Sequence, residues 1–499
     1  MSAAINIIDK VPFFGGMFRV ESNELNPVNA WPSLIAMTSF VWFAIAAILG
    51  ISMPAIQFMD LGSNWYYQNI TLHGAAMAFP FAFQLMAAMS LHRAGACLGK
   101  RADDIFVSLF YIFMNVGALL LTVAVLLGFH VTYTVMFPLP VVGVMTGQWS
   151  MFTLVLGFTG IALVLTSMIF IYPIKILRMS FFERTDSTLQ VAERSMKDPG
   201  MIGMVMGVLV LLVAGTPLML VAGSLLLHLY GIFPAAWIGW AANPIVFEFV
   251  FYIFAHNLME AMAIMIIGAV YSTLPLCTAD GSRKLYSDKI AILALWILLI
   301  TSVTSFFHHF FTMYPALPST FAYHGNIMSF ATGIGGALTI FTILATIWKH
   351  GIIPTPALFL ILGGFVMYIL DGVSAIIISN VAWNFKLHGT MWAGGHAMVV
   401  LIAISALWMG VLYYHYPLMT NRTIDDSTAR SCIKYFFISY IGLFYTFLAA
   451  GSAGMPRRNG AWESDWYIFG VFMLIFGVML LYAFVLYFLS LRRSKALDY

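Results

Sequence analysis

Charge is scarce in this chain. Of 499 residues only 9% are Asp, Glu, Lys or Arg, against about 25% in ordinary soluble domains. With 62% hydrophobic residues and a mean hydropathy of +0.93, the sequence carries more apolar surface than a soluble globule of this length can bury. Disorder and a collagen-like fibre are excluded by the same figures. Cysteine is scarce too: Cys97, Cys277 and Cys432 are the three present. They are too few for a disulfide scaffold and too far apart for a metal cluster. All three fall at expected cytoplasmic, reducing ends, so no disulfide is expected. A net charge of +3, without a basic patch, gives no case for a nucleic-acid partner. Residues 1–30 are polar, contain Pro12, and lack an apolar core followed by a small-residue cleavage site, so no cleaved leader is expected.

What the chain does have is long apolar runs. A membrane helix needs about 20 apolar residues. Twelve runs qualify: 31–57, 66–91, 105–129, 149–174, 201–229, 244–275, 289–313, 321–348, 355–380, 388–415, 435–453 and 466–491. The expected fold is an all-α integral membrane protein, one catalytic transmembrane domain over 1–499, with both termini cytoplasmic. Lys and Arg fix that orientation. Lys10, Arg19, Arg93, Lys100, Arg101, Lys175, Arg178, Arg184, Arg194 and Lys197 fall on one side. So do the later basic residues, except Lys386, Arg457 and Arg458.

Ionisable groups inside a bilayer are costly and mark function. Here the excess is histidine, and it clusters. His73 lies in the second span. His256 and Glu260 lie in the sixth ("YIFAHNLMEAM"). His308 and His309 lie in the seventh ("FFHHFF"). His388, His396 and Met398 lie in the tenth ("LHGTMWAGGHAM"). A single interior histidine is ordinarily just hydrogen-bonded, but imidazole is also a good ligand for iron, copper and zinc. His256 and Glu260, four apart, share a helix face. His308 and His309 lie about 100° apart on a helix and can straddle an ion between spans six and seven. His396 and Met398 are about 200° apart on the same geometry, so one helix can serve two cofactors.

These residues, with "AGMPRRNG" at 453–460, resemble subunit I of the heme-copper oxidase superfamily over essentially the whole chain. "YSTLPL" and "KLYSDKIA" are closer to its B-type branch. The resemblance implies two hemes and one non-heme iron or copper. His73 matches an axial ligand of the low-spin heme, and His396 the proximal ligand of the high-spin heme. His256, His308 and His309 match ligands of the non-heme metal. Arg457 and Arg458 match the propionate-binding pair, which explains two of the three exceptions to the charge rule. His388 matches a position near the propionates of the high-spin heme. The family also implies an electron-delivering subunit, of cupredoxin or cytochrome c type, with cytochrome c or a small copper protein as donor. The chain itself has no CXXCH heme-attachment motif. The implied setting is a bacterial or archaeal inner membrane, with electrons arriving from the extracytoplasmic side.

Three departures bear on the reaction. The usual His-x-His of span ten is His396-Ala397-Met398. Met398 is therefore the expected second low-spin ligand, which raises the heme potential; the alternative is an unligated sixth position or a shifted ligand. The tyrosine that oxygen reductases carry four residues after the span-six histidine is Glu260 here, and 289–313 contains no tyrosine. A carboxylate can bind a metal and handle protons but does not readily give up an electron. That arrangement resembles nitric oxide reductases, although the second glutamate those enzymes carry on span eight is not evident in "GNIMSFATGIGGALT". Finally, the B-type cytoplasmic hydroxyl path keeps Tyr271 but reads Gly335 and Leu338 on span eight, with Ile267 interrupting span six. The expectation is nitric oxide reduction with His256, His308, His309 and Glu260 at the metal. The alternatives are oxygen reduction and, from another class, a heme-free ion-coupled transporter. Glu248 is a candidate for outer-side proton delivery. Asp371 is expected near heme and is also a proton-transfer candidate.

Overall fold

Each apolar run folds as a helix. In this computed structural model the described residues are 30–59, 63–100, 102–131, 149–183, 198–313, 318–461 and 463–496. Lys10, Arg19, Arg101, Arg184, Arg194 and Lys197 lie outside them, as do all of residues 1–29. Twelve helices are long and apolar enough to cross a bilayer: α1 Ala30–Phe58, α2 Asn64–Leu98, α3 Ile105–Leu126, α4 Met151–Phe182, α5 Pro199–Leu229 and α6 Pro244–Cys277, then α7 Asp288–Phe311, α8 Ser319–His350, α9 Pro356–Ile378, α10 Met391–Thr420, α11 Asp426–Ser452 and α12 Ser464–Arg492. The expected multi-pass membrane fold is the observed one. The three cysteines are free and buried.

The boundaries differ where polar residues start a helix. α11 begins at Asp426, nine residues before the expected 435, because the Asp425 side chain accepts from the Thr428 N–H at 3.1 Å and caps a polar first turn. α10 begins at Met391. Thr390 caps it, and a separate short helix, Val381–Leu387, precedes it. His388 therefore sits in the connection rather than in the span. Within α2 the Met77–Phe83 stretch is a π-helical bulge centred on Pro80, which has no N–H to give to the ladder.

α7 changes character where it matters most. It is α-helical over Asp288–Thr304 and 3₁₀ over Ser305–Met313. Two α6 side chains take the carbonyls at the transition. His256 Nε2 lies 3.0 Å from Ser302 O, and Asn257 Nδ2 donates to Val303 O at 3.2 Å. Those oxygens would otherwise accept from residues 306 and 307 in an α-helical ladder. The tighter helix puts His308 and His309 nearer 120° apart than 100°. On α8, a Cβ at Gly325 would lie 2.7 Å from the His308 backbone nitrogen, so only glycine lets α8 approach this turn so closely.

On the side expected to be cytoplasmic, the Lys175 amine is 2% exposed. It lies 3.0 Å from Asp104 Oδ2 and 2.8 Å from Glu183 Oε1, which ties α4 to the N-terminus of α3. A two-residue antiparallel pairing, Arg422–Thr423 with Lys495–Ala496, joins the α10–α11 link to the segment after α12.

Candidate metal centre

Three imidazoles converge between α6 and α7. His256, His308 and His309 each place a ring nitrogen within 4.8 Å of the other two. Ring centroids lie 4.9 Å (His256–His308), 5.4 Å (His256–His309) and 4.5 Å (His308–His309) apart. The hydrogen-bond network assigns two of the tautomers. A carbonyl can only accept, so His256 Nε2–H donates to Ser302 O and Nδ1 keeps its lone pair. Ser329 Oγ gives its one proton to Gly325 O at 2.6 Å, so it must accept from His308 Nδ1–H at 2.9 Å. His308 Nε2 thereby keeps its lone pair, free to serve a metal. Such partners orient imidazole ligands and raise their basicity.

Glu260 stands beside this group and not within it. Its Oε1 lies 3.7 Å from His256 Nε2, the nitrogen tied to Ser302, and its side chain is 21% exposed. The expected shared helix face of His256 and Glu260 is present; Glu260 is not brought into the cluster of ligand atoms. Tyr252 was missed in the sequence. One turn before His256 on α6, its ring stacks on His309 at 4.5 Å and 16°. The four-residue spacing to His256 was the available signal.

His396 and Met398 face opposite ways, as their spacing requires. His396 Nδ1 lies 2.9 Å from Asp371 Oδ1 of α9. Met398 lines a cavity of about 690 Å³ together with His73, Gly50, Arg457 and Arg458. His73 Nδ1–H donates to Ala46 O at 2.7 Å, so Nε2 keeps its lone pair. A Cβ at Gly50 would lie 2.7 Å from His73 Cε1, so the ring rests in a notch on α1. The cavity, its thioether and its imidazole suit a planar macrocycle with two axial ligands.

The arginine loop is held from three sides. Thr390 and Pro456 form an antiparallel bridge, flanked by Met391 N to Met455 O at 2.8 Å and Arg457 N to Gly389 O at 3.1 Å. Gln57 Nε2 of α1 donates to Asn459 O at 2.8 Å. Arg458 adopts φ +57°, a left-handed turn that aims the loop at the cavity. His388 lies just before this bridge; burial, and then the charge of Arg457, push its pKa down to about 4.

The proton-route candidates divide. Glu248 is half-buried in the first turns of α6. Between it and the histidines sits an aromatic cluster of Tyr252, Phe306 and Phe310 with Phe249 and Phe307. On the other side, Tyr271 donates to Thr339 Oγ1 at 3.0 Å, and Thr339, Thr342 and Thr346 form a buried row on α8. The hydroxyl partner of Tyr271 on α8 is Thr339, one turn after Gly335 and next to Leu338. Inward of Tyr271 the row ends in an apolar gap, too narrow for water, lined by Ile266, Ile267, Val270, Ile343, Phe365, Tyr368 and Leu407.

The family model described as cytochrome c and quinol oxidase polypeptide I matches residues 33–485. The cytochrome c oxidase subunit 1 of Thermostichus vulcanus is 23% identical over 469 residues, covering 89% of this chain and 80% of that protein. The cytochrome c oxidase polypeptide 1 of Halobacterium salinarum is 29% identical over 224 residues, covering 43% of this chain and 36% of that protein. Among solved structures, a heme-copper terminal oxidase dimer studied by cryo-electron microscopy superimposes with a TM-score of 0.78. Its identity is 17%, covering 95% of this chain and 85% of that one.

Proposed function

Since the chain belongs to the cytochrome c and quinol oxidase polypeptide I family, subunit I of the heme-copper oxidases, we propose that it is the catalytic subunit of a membrane nitric oxide reductase. The reaction is 2 NO + 2 e⁻ + 2 H⁺ → N2O + H2O. One observation carries this reading: the group beside His256 one turn further along α6 is the Glu260 carboxylate, not a phenol. Family membership leaves the transporter alternative without support.

His73 and Met398 would hold the low-spin heme, His396 the high-spin heme, and His256, His308 and His309 a non-heme iron or copper. Those groups, when bound, supply electron transfer and polarisation of NO. The chain's own residues do the rest. Serine and carbonyl acceptors hold the imidazoles in their binding tautomers. Glu260, one-fifth exposed, accepts and passes on protons for the departing oxygen. Arg457 and Arg458 neutralise heme carboxylates at the cavity rim. Electrons come from a partner subunit on the extracytoplasmic face, supplied by cytochrome c or a small copper protein.

A second reading is oxygen reduction. Curated relatives are named cytochrome c oxidases, and Tyr252 stacked on His309 places an oxidisable phenol beside the triad. One heme-loaded preparation, assayed with anaerobic NO and N2O detection beside O2 uptake with the same donor, separates the two. Fast NO turnover with feeble O2 uptake is expected, and Glu260→Gln should abolish most of it. Fast O2 uptake that falls on Tyr252→Phe, with slow NO turnover, would establish the second reading instead.

A further inference from the structure

His396 is the one imidazole of the proposed sites that donates to an anion. Asp371 is 2% exposed on α9, with its Oδ1 2.9 Å from His396 Nδ1. Ser374 Oγ shares its proton in a three-centre bond, donating to the Asp371 carbonyl at 2.8 Å and to Oδ1 at 3.2 Å. Trp392 Nε1 donates to Ser374 O at 3.4 Å, tying this turn of α9 to the start of α10. Helix packing therefore holds the carboxylate against the ring. His73 and His256, by contrast, donate to neutral carbonyls, and His308 to a hydroxyl.

We propose that Asp371 is a positioning residue that gives His396 imidazolate character and so lowers the reduction potential of the heme bound at Nε2. The proposal rests on the reading of His396 as that heme's ligand. A charge-assisted N–H···O⁻ bond draws the proton toward the carboxylate. The opposite ring nitrogen becomes a stronger donor, and a stronger anionic donor favours ferric over ferrous iron. Ser374 moderates the effect, because its hydroxyl shares the same oxygen.

The test uses the purified, heme-loaded protein: wild type, Asp371→Asn, Asp371→Glu and Ser374→Ala. Two readouts other than turnover are followed. One is an optical redox titration of the high-spin heme, identified by CO binding to its ferrous form; the other is the iron–histidine stretch by resonance Raman. Asp371→Asn should raise the reduced-to-oxidised ratio at fixed potential at least tenfold, or 59 mV for one electron, and weaken the stretch. Asp371→Glu should restore most of both. Ser374→Ala should move both readouts the opposite way from Asn, which simple loosening of the site would not do. If the Asn variant does not load heme, the Ser374→Ala direction decides. An unchanged potential and stretch in the variants, with the high-spin heme present, would overturn the proposal alone. Absence of any CO-binding high-spin heme in the wild type would overturn the assignment of His396 as well.

Discussion

Replacing Gly50 with alanine tests whether His73 is a built ligand site or a histidine that happens to line a cavity. The added Cβ would stand 2.7 Å from His73 Cε1 and 2.9 Å from Nδ1. Ordinary carbon contacts begin near 3.4 Å, so the ring must retreat by about 0.7 Å. Taken along the Nδ1–O line, that stretches the 2.7 Å bond to Ala46 O to roughly 3.4 Å, beyond the ~3.2 Å limit of a good N–H···O bond. Overpacking a buried site costs about 1–3 kcal/mol, and the weakened bond about 1 kcal/mol more. The ring also loses the acceptor that fixes Nε2 as its lone-pair nitrogen. Gly50→Ala should therefore lose low-spin heme while the high-spin heme on His396 stays, and melt earlier in detergent. Gly333→Ala on the exposed face of α8, where a Cβ meets nothing within 4 Å, is the control and should match wild type in both assays. A Gly50→Ala protein with a wild-type low-spin spectrum and melting temperature would refute the assignment of His73.

Ser329→Ala removes the acceptor of His308 Nδ1–H. Non-heme metal affinity should fall 10- to 100-fold, read as metal lost to a chelator with both hemes retained; equal retention would show that the bond does not orient the ligand. Lys175→Met removes the amine shared by Asp104 and Glu183, which are 33% and 20% exposed; Glu183 keeps Arg178 at 3.7 Å and Asp104 its cap bonds from Phe106 and Val107. Because water still reaches them, the expected loss is about 1–3 kcal/mol rather than the full penalty of an uncompensated buried charge. A detergent melting curve with no shift at neutral pH would assign no stability to this cluster.

Hydropathy made the twelve spans legible, because lipid and core alike demand unbroken apolar runs. It failed at the start of α11, where a capped polar turn from Asp426 carries no hydropathy signal. Histidine clustering picked out the three imidazoles that converge between α6 and α7, and the four-residue spacing of His256 and Glu260 held in three dimensions. What orients the ligands was not legible. Ala46 O and Ser302 O are backbone atoms with no residue signature. The Asp371–His396 pair joins residues 25 apart on different helices. That Tyr271 meets Thr339 joins residues 68 apart on different helices, which no local pattern encodes. The 3₁₀ turn carrying His308 and His309 follows from tertiary bonds made by α6, which no local propensity encodes.

The environment of the triad constrains how protons reach it. Glu248 and Glu260 are twelve residues apart on one helix, about 18 Å by rise alone, with the Tyr252–Phe306–Phe310 cluster between them. No side chain spans that distance, so any outer route needs water threaded past those rings, with Glu260 as its last protein group. On the inner side Tyr271 donates to Thr339 Oγ1, and buried Thr342 and Thr346 lie further along α8, each giving its own proton to a backbone carbonyl four residues earlier; beyond Tyr271 comes the dry stretch around Ile267. A proton crosses hydroxyls and water chains but not an aliphatic gap. Ile267→Thr adds a hydroxyl to that gap, and turnover should become sensitive to the Tyr271 hydroxyl only in this background. If Tyr271→Phe already slows the unmodified enzyme, protons cross the gap as it stands, and the inner route is the working one.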